Sequence, residues 1–406
     1  MKKLEQRVPN LRFKGFTDDW EQRKLGEISE RILRKNSDLQ SLLPLTISAQ
    51  DGLVDQTIYF NKQVASKQLK NYLLLYNGDF AYNKSYSVGY PYGAIKRLDK
   101  YKQGVLSTLY IAFKPTNINS DFLQHYYDTD KWYREIYRNA AEGARNHGLL
   151  NISANDFFNS KLITPSDNDE QLKIAKIINV FNRLITLQQR KLDLLKQLKK
   201  GFLQKMFADK DSKQPVLRFK GFHDDWEQRK LGEISTSFSG GTPSVKNKSY
   251  YGGKIPFIRS AEIHKDKTEL FITESGLKNS SAKLIKKGTL LYALYGATSG
   301  EVDVSNIDGA INQAIIAIFL QKDNVSFIKY YLEKNKDKII AKYLQGGQGN
   351  LSASIIKSVH INLPFTEEQL KISNLIKKVE SLIFLQQQKL AKYQSIKKSL
   401  LQQMFI

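Results

Sequence analysis

Two long segments of the chain show the most regular spacing of apolar residues. In residues 170–207 the apolar positions recur at alternating steps of four and three, as the seam of a coiled coil requires. These positions are Ile174, Ile178, Phe181, Ile185, Leu192, Leu195, Phe202 and Met206, and in residues 368–405 they are Ile372, Ile376, Val379, Ile383, Leu390, Tyr393, Leu400 and Met404. Because so long a helix must pack against an equally long partner, we predict that the two helices pair, and that they run antiparallel.

Both predicted seams are interrupted by polar residues at equivalent places. Gln188 matches Gln386, and Lys199 matches Lys397. A polar residue in a seam lowers stability but selects one register and orientation. We assign this register role to Gln188 and Gln386, whereas the lysines either share it or extend from the edge of the seam to solvent.

Shorter elements precede each long helix in the same order. Residues 105–113, 288–295 and 312–319 have the apolar and aromatic composition of strands. Residues 121–139 and 326–344 predict a helix in each half, followed by a glycine-containing loop and a short approach to the long helix. The two halves therefore share one plan.

The chain also contains two nearly identical copies of one segment, which we call the repeated phrase. Residues 9–29 read PNLRFKGFTDDWEQRKLGEIS, and residues 215–235 differ from them only at Asn10/Val216 and Thr17/His223. The stretches between these constant parts, residues 31–165 and 236–364, do not resemble each other. Such a chain presents two different surfaces on one repeated support.

These patterns predict an α+β fold with an internal pseudo-twofold repeat. In the predicted fold, two mixed α/β domains are separated by two long antiparallel α-helices, which form a coiled coil. The predicted segments are an N-terminal part of the constant frame, a first variable domain, a central helix with its linker, a second variable domain and a C-terminal helix. Their boundaries are 1–20, 21–165, 166–214, 215–365 and 366–406.

Charge indicates the kind of partner. Lys and Arg number 63 against 40 Asp and Glu, which gives a formal net charge of +23. A basic chain with 21 Tyr and 21 Phe is typical of folded domains that bind a polyanion, with nucleic acid first among the candidates.

Several classes of site are excluded by the residues that are missing. The chain has no cysteine, its five histidines are scattered without metal-ligand spacing, and no run of apolar residues is long enough to span a membrane. The phosphate loop G-x-x-x-x-G-K-[ST], the commonest nuclease metal motif and the methyltransferase Asn-Pro-Pro-aromatic motif are also absent. We therefore expect no catalytic residues, no metal site and a cytoplasmic location.

Two loops combine basic residues with tyrosines and glycines, a mixture suited to holding phosphates and reading base edges. The candidate DNA-binding residues of the first half are Lys84, Ser85, Tyr86, Tyr90, Tyr92, Lys96 and Arg97, with Arg145, Asn146 and His147 in the later glycine loop. Those of the second half are Thr242, Lys246, Lys248, Tyr250 and Arg259, with Gln348 in its glycine loop. Core packing by the tyrosines and plain solvation of the lysines are the alternatives for each position.

In this arrangement the chain resembles the specificity subunit of type I restriction-modification systems. The resemblance rests on the duplicated F-K-G-F-x-D-D-W-E-Q-R-K-L-G-E-I, the G-G-T-P-S that begins at Gly240, the N-[IL]-S approach and the E-Q-L-K-I start of each long helix. It implies that residues 21–165 and 215–365 are target-recognition domains, each reading one half of a split DNA site with a non-specific spacer.

The resemblance also implies partners and cofactors. The expected partners are double-stranded DNA, two modification subunits that methylate adenine and two restriction subunits with motor and nuclease activity. This chain is then expected to bind no cofactor itself, with S-adenosylmethionine held by the modification subunit and ATP and Mg by the restriction subunit.

Two other classes remain open from the residues alone. One is a nuclease or methyltransferase with an unrecognised site. The other is a basic DNA-binding scaffold or regulator whose helices recruit unrelated partners.

Overall fold

The computed structural model describes residues 7–61, 69–139, 150–209, 212–344 and 350–406. The chain divides into two compact units. Unit 1 contains the residues up to Gln189 together with Lys389–Ile406, and unit 2 contains Arg190–Gln388. Each unit is therefore built from one variable region, the start of one long helix and the end of the other.

Unit 1 consists of short strands and helices that lead into the first long helix. In chain order they are β1 Glu21–Lys24, α1 Leu25–Ile28, β2 Ser29–Arg31, β3 Leu45–Ser48, β4 Gly52–Asp55, α2 Gln56–Phe60, β5 Leu73–Tyr76, β6 Phe80–Asn83, β7 Ala94–Arg97, β8 Gln103–Leu106, β9 Ile111–Pro115, α3 Ser120–Tyr127, α4 Tyr133–Asn139, α5 Ala154–Phe158, β10 Lys161–Thr164 and α6 Asn168–Lys205.

Unit 2 repeats this order and ends in the second long helix. Its elements are β11 Glu227–Lys230, α7 Leu231–Ile234, β12 Ser235–Ser239, β13 Tyr251–Ile258, β14 Phe271–Ile272, α8 Glu274–Lys278, β15 Lys283–Ile285, β16 Leu290–Ala293, β17 Val302–Val304, β18 Gly309–Ile311, β19 Ile315–Leu320, α9 Val325–Lys334, α10 Lys336–Leu344, α11 Ala353–Lys357, β20 His360–Leu363 and α12 Thr366–Gln403.

The main sheets of the two units have the same topology. The main sheet has the order β2-β9-β6-β7 in unit 1 and β12-β19-β16-β17 in unit 2, with antiparallel neighbours throughout. A two-stranded ladder joins each repeated phrase to the strand before the long helix, as β1-β10 and as β11-β20. The predicted mixed α/β domains and internal repeat are confirmed.

The first residues of each long helix connect three segments of their unit. In unit 1 the Arg12 guanidinium donates two hydrogen bonds to the Glu170 carboxylate, Nε to Oε1 at 2.7 Å and Nη2 to Oε2 at 2.8 Å. The Gln171 side chain donates to the Pro165 carbonyl and accepts from the Asn119 backbone N–H, each at 2.8 Å. Because Asn119 caps helix α3, the glutamine fixes the variable domain to the frame helix.

Unit 2 repeats these contacts with the equivalent residues. Arg218 donates to both oxygens of Glu368 at 2.9 Å. Gln369 donates to the Pro364 carbonyl at 3.0 Å and accepts from the backbone N–H of Asn324, the cap of α9, at 2.8 Å. The Glu-Gln pair that begins each long helix is thus a buried junction, since Glu170 and Glu368 are 1% and 0% exposed.

The predicted long helices are confirmed at 38 residues each. In unit 1, Ile174 and Ile178 near the start of α6 share a core with Met404 and Phe405 at the end of α12. In unit 2, Leu203 and Met206 near the end of α6 share a core with residues near the start of α12. Each unit therefore pairs the start of one helix with the end of the other, as the predicted antiparallel arrangement requires.

The polar interruptions of the seams lie at different depths. Gln386 is buried at 6% exposure, and Gln188 is half-buried. Lys199 does not extend to solvent, because its ammonium nitrogen lies 2.6 Å from Glu333 and 2.8 Å from Glu380. The register role of the two glutamines stays a prediction.

Two predicted helices and one predicted strand are each divided in the structure. The helix predicted for residues 121–139 is α3 and α4, and the helix predicted for residues 326–344 is α9 and α10, divided at Asn335. The Asn335 side-chain amide donates to the Tyr331 carbonyl at 2.9 Å, in addition to the Asn335 backbone N–H at 3.2 Å, and so caps the end of α9. The strand predicted for residues 105–113 is β8 and β9, joined by a turn in which Leu109 is exposed.

Two residues after the end of each long helix, a phenylalanine completes the core of a variable domain. Phe405 lies 5.2 Å from the Phe122 ring centroid in unit 1, and Phe207 lies 4.9 Å from the Phe327 centroid in unit 2. Both are at most 2% exposed.

We expect Phe207→Ala to lower the free energy of unfolding of unit 2 by about 3–5 kcal/mol, because it removes a buried ring and leaves a cavity. The matched control is Phe365→Ala, since Phe365 belongs to the same unit but is 68% exposed. Urea denaturation followed by circular dichroism measures both. Equal urea midpoints for the two variants would contradict the packing role of Phe207.

Candidate DNA interface

The last two strands of each main sheet form a hairpin, and the hairpin tips lie at equivalent positions in the two units. The tips are residues 84–93 between β6 and β7 in unit 1 and residues 294–301 between β16 and β17 in unit 2. The first residue of each tip is held by a backbone hydrogen bond. The Lys84 carbonyl accepts from the Leu150 N–H, and the Leu294 carbonyl accepts from the Leu351 N–H, each at 3.1 Å. A fully buried tyrosine, Tyr82 or Tyr292, lies beneath each tip.

The tip of unit 1 brings together the first five predicted residues, Lys84, Ser85, Tyr86, Tyr90 and Tyr92. Lys84 is half-buried, and its ammonium donates to a backbone carbonyl at 3.3 Å. The Ser85 N–H donates to the Asn83 side chain at 3.0 Å, and Tyr90 is half-buried against the core below. Tyr92 packs on Tyr133 at 5.1 Å, whereas Tyr86 is 53% exposed.

Lys96 and Arg97 lie on β7 rather than in the tip, and both are ion-paired. Lys96 lies 3.4 Å from Asp128, and Arg97 lies 2.6 Å from Asp99 and 2.7 Å from Asp121. The Arg97 side chain is only 15% exposed, so its charge is largely used within the domain. These contacts make both residues poor candidates for phosphate binding.

The predicted residues of unit 2 lie in the segment between β12 and β13 and at the end of β13. Lys246 and Lys248 are exposed, and the Thr242 hydroxyl donates to the Gln313 side chain. Tyr250 is half-buried, and its carbonyl accepts from the Thr273 N–H at 3.0 Å. Arg145, Asn146, His147 and Gln348 lie outside the described residues.

Arg259 is held by two carboxylates. Its Nη2 lies 3.1 Å from Glu262 and 2.7 Å from Glu269, and the side chain is 38% exposed. Burial favours the neutral acid at Glu262, but hydrogen bonds from Arg259 and from the Glu269 N–H prevail and lower the pKa of Glu262 to about 2. The ion pair stabilises the turn after β13, and a structural role competes with base reading at this residue.

The tip of unit 2 was missed by sequence reasoning, which selected the segment before β13 instead. The signal that identifies it is a glycine followed four residues later by the buried tyrosine, Gly78 and Tyr82 in unit 1 and Gly288 and Tyr292 in unit 2. Tyr295 and the residues that follow it occupy the place of the unit 1 tip.

Unit 1 has a cleft of about 300 Å³ between its hairpin tip and the turn that joins β3 to β4. Its polar lining consists of Ser48, Gln50 and Asp51 from the turn and Asn83, Ser85 and Ser87 from the hairpin. The predicted Tyr90 also lines it, together with Tyr59 and Val88.

Unit 2 has a charged cleft of about 210 Å³ between its variable domain and the long helices. His264 lies 2.7 Å from Asp303 and 3.0 Å from Glu301, and the hydrogen bond to Asp303 raises the pKa of His264. Lys329 lies 3.1 Å from Asp303, and Lys199 lies 2.8 Å from Glu380. Two ion pairs cross from the helices to the domain, Lys199 with Glu333 at 2.6 Å and Lys329 with Glu380 at 3.6 Å, so this cleft connects the domain to the helices.

Two further findings concern the described part of the chain only. No group of three or more His, Cys, Asp or Glu side chains there is arranged to hold a metal ion. No described helix is long and apolar enough to cross a membrane.

Comparison with known proteins gives one consistent family. Residues 223–394 match the type I restriction modification DNA specificity domain. The chain is 31% identical over 169 residues to the specificity subunit of type I restriction enzyme MjaIX from Methanocaldococcus jannaschii, an alignment that spans 39% of each protein. It is 23% identical to the MjaVIII specificity subunit of the same organism over 413 residues, which is 95% of this chain and 91% of the relative.

Solved structures share the fold over nearly the whole chain. The S subunit of a type I restriction-modification system from M. genitalium matches with a TM-score of 0.61 and 16% identity, covering 98% of this chain and 99% of that one. A chain from a structural study of complex assembly in a type I system matches with a TM-score of 0.57 and 18% identity, covering 97% and 98%.

We expect Lys246→Ala to reduce the salt dependence of DNA binding, because Lys246 is exposed and has no ion-pair partner among the described residues. If it neutralises one phosphate, the slope of log K against log salt falls in magnitude by about 0.9. Fluorescence anisotropy with duplex DNA between about 50 and 200 mM salt measures the slope.

The matched control is Lys286→Ala, since Lys286 is 85% exposed but lies 2.9 Å from Asp308. Its slope should equal that of the unchanged chain. A Lys246→Ala slope that also stays unchanged would remove the segment before β13 from the DNA interface.

Proposed function

We propose that this chain, which belongs to the family of type I restriction-modification DNA specificity subunits, reads a bipartite DNA target with a non-specific spacer and holds the catalytic subunits of its complex. The observation that carries the proposal is the repetition of one topology with two different hairpin tips. Two equivalent supports with unlike surfaces suit the recognition of two unlike half-sites.

The repeated phrase supports two identical partners. Ten of its residues are identical and exposed in both units, and in unit 1 these are Leu11, Lys14, Gly15, Asp18, Asp19, Glu21, Gln22, Lys24, Gly26 and Glu27. The fold explains the identity of Gly15, whose φ is +97°, and of Glu27, which accepts from the Lys24 N–H at 3.0 Å. For the others it does not, because substitution of exposed residues usually changes stability little. Two copies of one partner, each docking on one copy of the phrase, explain their identity.

The partners we infer are two modification subunits that methylate adenine, joined by two restriction subunits with motor and nuclease activity. S-adenosylmethionine then belongs to the modification subunit, and ATP and Mg to the restriction subunit. This chain contributes no catalytic residue, and it acts in the cytoplasm, where the DNA substrate lies. Membership of the family favours this function over a regulator with unrelated partners.

We expect charge reversal in one copy of the phrase to remove one modification subunit. The variants are Asp18→Lys with Asp19→Lys in unit 1 and Asp224→Lys with Asp225→Lys in unit 2. Native mass spectrometry should show two modification subunits on the unchanged chain, one on either double variant and none when all four changes are combined. The reason is that each reversal replaces two exposed carboxylates of one docking surface.

A matched control places the same reversals at exposed aspartates outside the phrase, Asp38→Lys with Asp266→Lys, and should retain both modification subunits. In the same preparations the isolated chain should transfer no methyl group to DNA, whereas the assembled complex should methylate adenine. Loss of both modification subunits from a single double variant would contradict two independent docking surfaces. Methyl transfer by the isolated chain would overturn the non-catalytic role.

A further inference from the structure

The cleft of unit 1 is lined by two loops that are held in place before any ligand binds. In the turn between β3 and β4, the Ser48 hydroxyl donates to Asp51 Oδ2 at 2.9 Å and accepts from the Asp51 N–H at 3.1 Å. In the hairpin tip, the Tyr82 hydroxyl donates to the Tyr92 carbonyl at 2.8 Å. A preorganised cleft loses little conformational entropy on binding, which favours specific recognition.

A glycine sets the path of the chain where the hairpin tip returns to β7. Gly93 has a φ of +81°, and a Cβ added there would lie 2.1 Å from the Asn83 carbonyl oxygen. Only glycine allows so close an approach, and it sets the path of the chain from the tip back into β7. The exposed residues of the tip are therefore presented in a defined position.

Asp51 is unusual in this place because it is acidic. It is exposed at the edge of the cleft, and its Oδ1 has no hydrogen-bond partner among the described residues. Phosphates repel a carboxylate, so an aspartate on a DNA-facing surface weakens binding unless it accepts a hydrogen bond from a base. The donors that the major groove offers are the exocyclic amino groups of cytosine and adenine.

The other residues that line the cleft are also suited to contact the edges of bases. Gln50 and Asn83 carry amides, which can donate and accept along a base edge. Val88, beside them in the tip, is 91% exposed and can contact the methyl group of a thymine.

We propose that this cleft reads one base pair of the unit 1 half-site, with Asp51 accepting a hydrogen bond from the amino group of cytosine or adenine and Val88 contacting an adjacent thymine methyl. The proposal rests on the proposed function and names the residues that give unit 1 its specificity. Val88 is exposed and makes no contact that the fold needs, whereas Asp51 also accepts the Ser48 hydrogen bond that holds the turn, a bond that Asp51→Asn can retain through its side-chain oxygen.

The test uses the chain assembled with its modification subunits, and methylation motifs are read by sequencing methylated DNA. Asp51→Ala should make one position of one half-site degenerate, with discrimination there falling at least about fivefold, and leave the other half-site intact. Asp51→Asn distinguishes the two bases: a shift of preference to adenine identifies cytosine as the native base, and a retained preference identifies adenine. Both results support the cleft as a reader.

Asp38→Ala is the matched control, since Asp38 is an exposed aspartate of unit 1 outside the cleft, and it should leave the motif unchanged. Val88→Ser is the second variant and should weaken discrimination at a neighbouring thymine.

If Asp51→Ala instead strengthens binding to all DNA equally and keeps the motif, the carboxylate faces phosphates and the proposal is wrong. A complex that methylates no DNA even with the unchanged chain would overturn the proposed function rather than the cleft.

Discussion

The structure depends on the buried Glu-Gln pair that begins each long helix. Glu170 and Glu368 each accept two hydrogen bonds from an arginine of the repeated phrase. The glutamine that follows each of them bonds both to the proline after the preceding strand and to the residue that caps α3 or α9. Removing the arginine would leave a carboxylate buried without its partner, which costs about 3–5 kcal/mol. The repeated phrase, the strand before the long helix and the start of α3 or α9 meet at this pair.

This junction explains how the inserts can differ without loss of the fold. Gln171 and Gln369 each accept a hydrogen bond from the backbone N–H of a cap residue of the variable domain, Asn119 before α3 and Asn324 before α9. A backbone contact tolerates any side chain around it, so the hairpin tips are free to change. The charged cleft of unit 2 adds contacts specific to that insert, with Lys199 of the helix paired to Glu333 of the domain.

Much of this fold follows from local patterns in the sequence. The apolar seams predicted both long helices, and the repeated phrase predicted two equivalent units. Side chains that bond to the backbone mark both helix divisions, Asn335 after α9 and Thr129, whose hydroxyl donates to the Tyr126 carbonyl at 2.6 Å, before α4. Periodicity does not show such bonds. The roles of Lys96 and Arg97 depend on Asp128 and Asp121, which are distant in the chain. The equivalence of the two tips rests on strand order together with the glycine and tyrosine spacing that the two units share.

The central claim, that each unit reads its own half of the target from a constant junction, is tested by exchanging one insert. Residues 236–364 are replaced by the corresponding segment of a related specificity subunit, and the methylated motif of the assembled complex is sequenced. The account predicts a new sequence in one half-site, with the other half-site unchanged. A change in both half-sites would contradict independent reading by the two units.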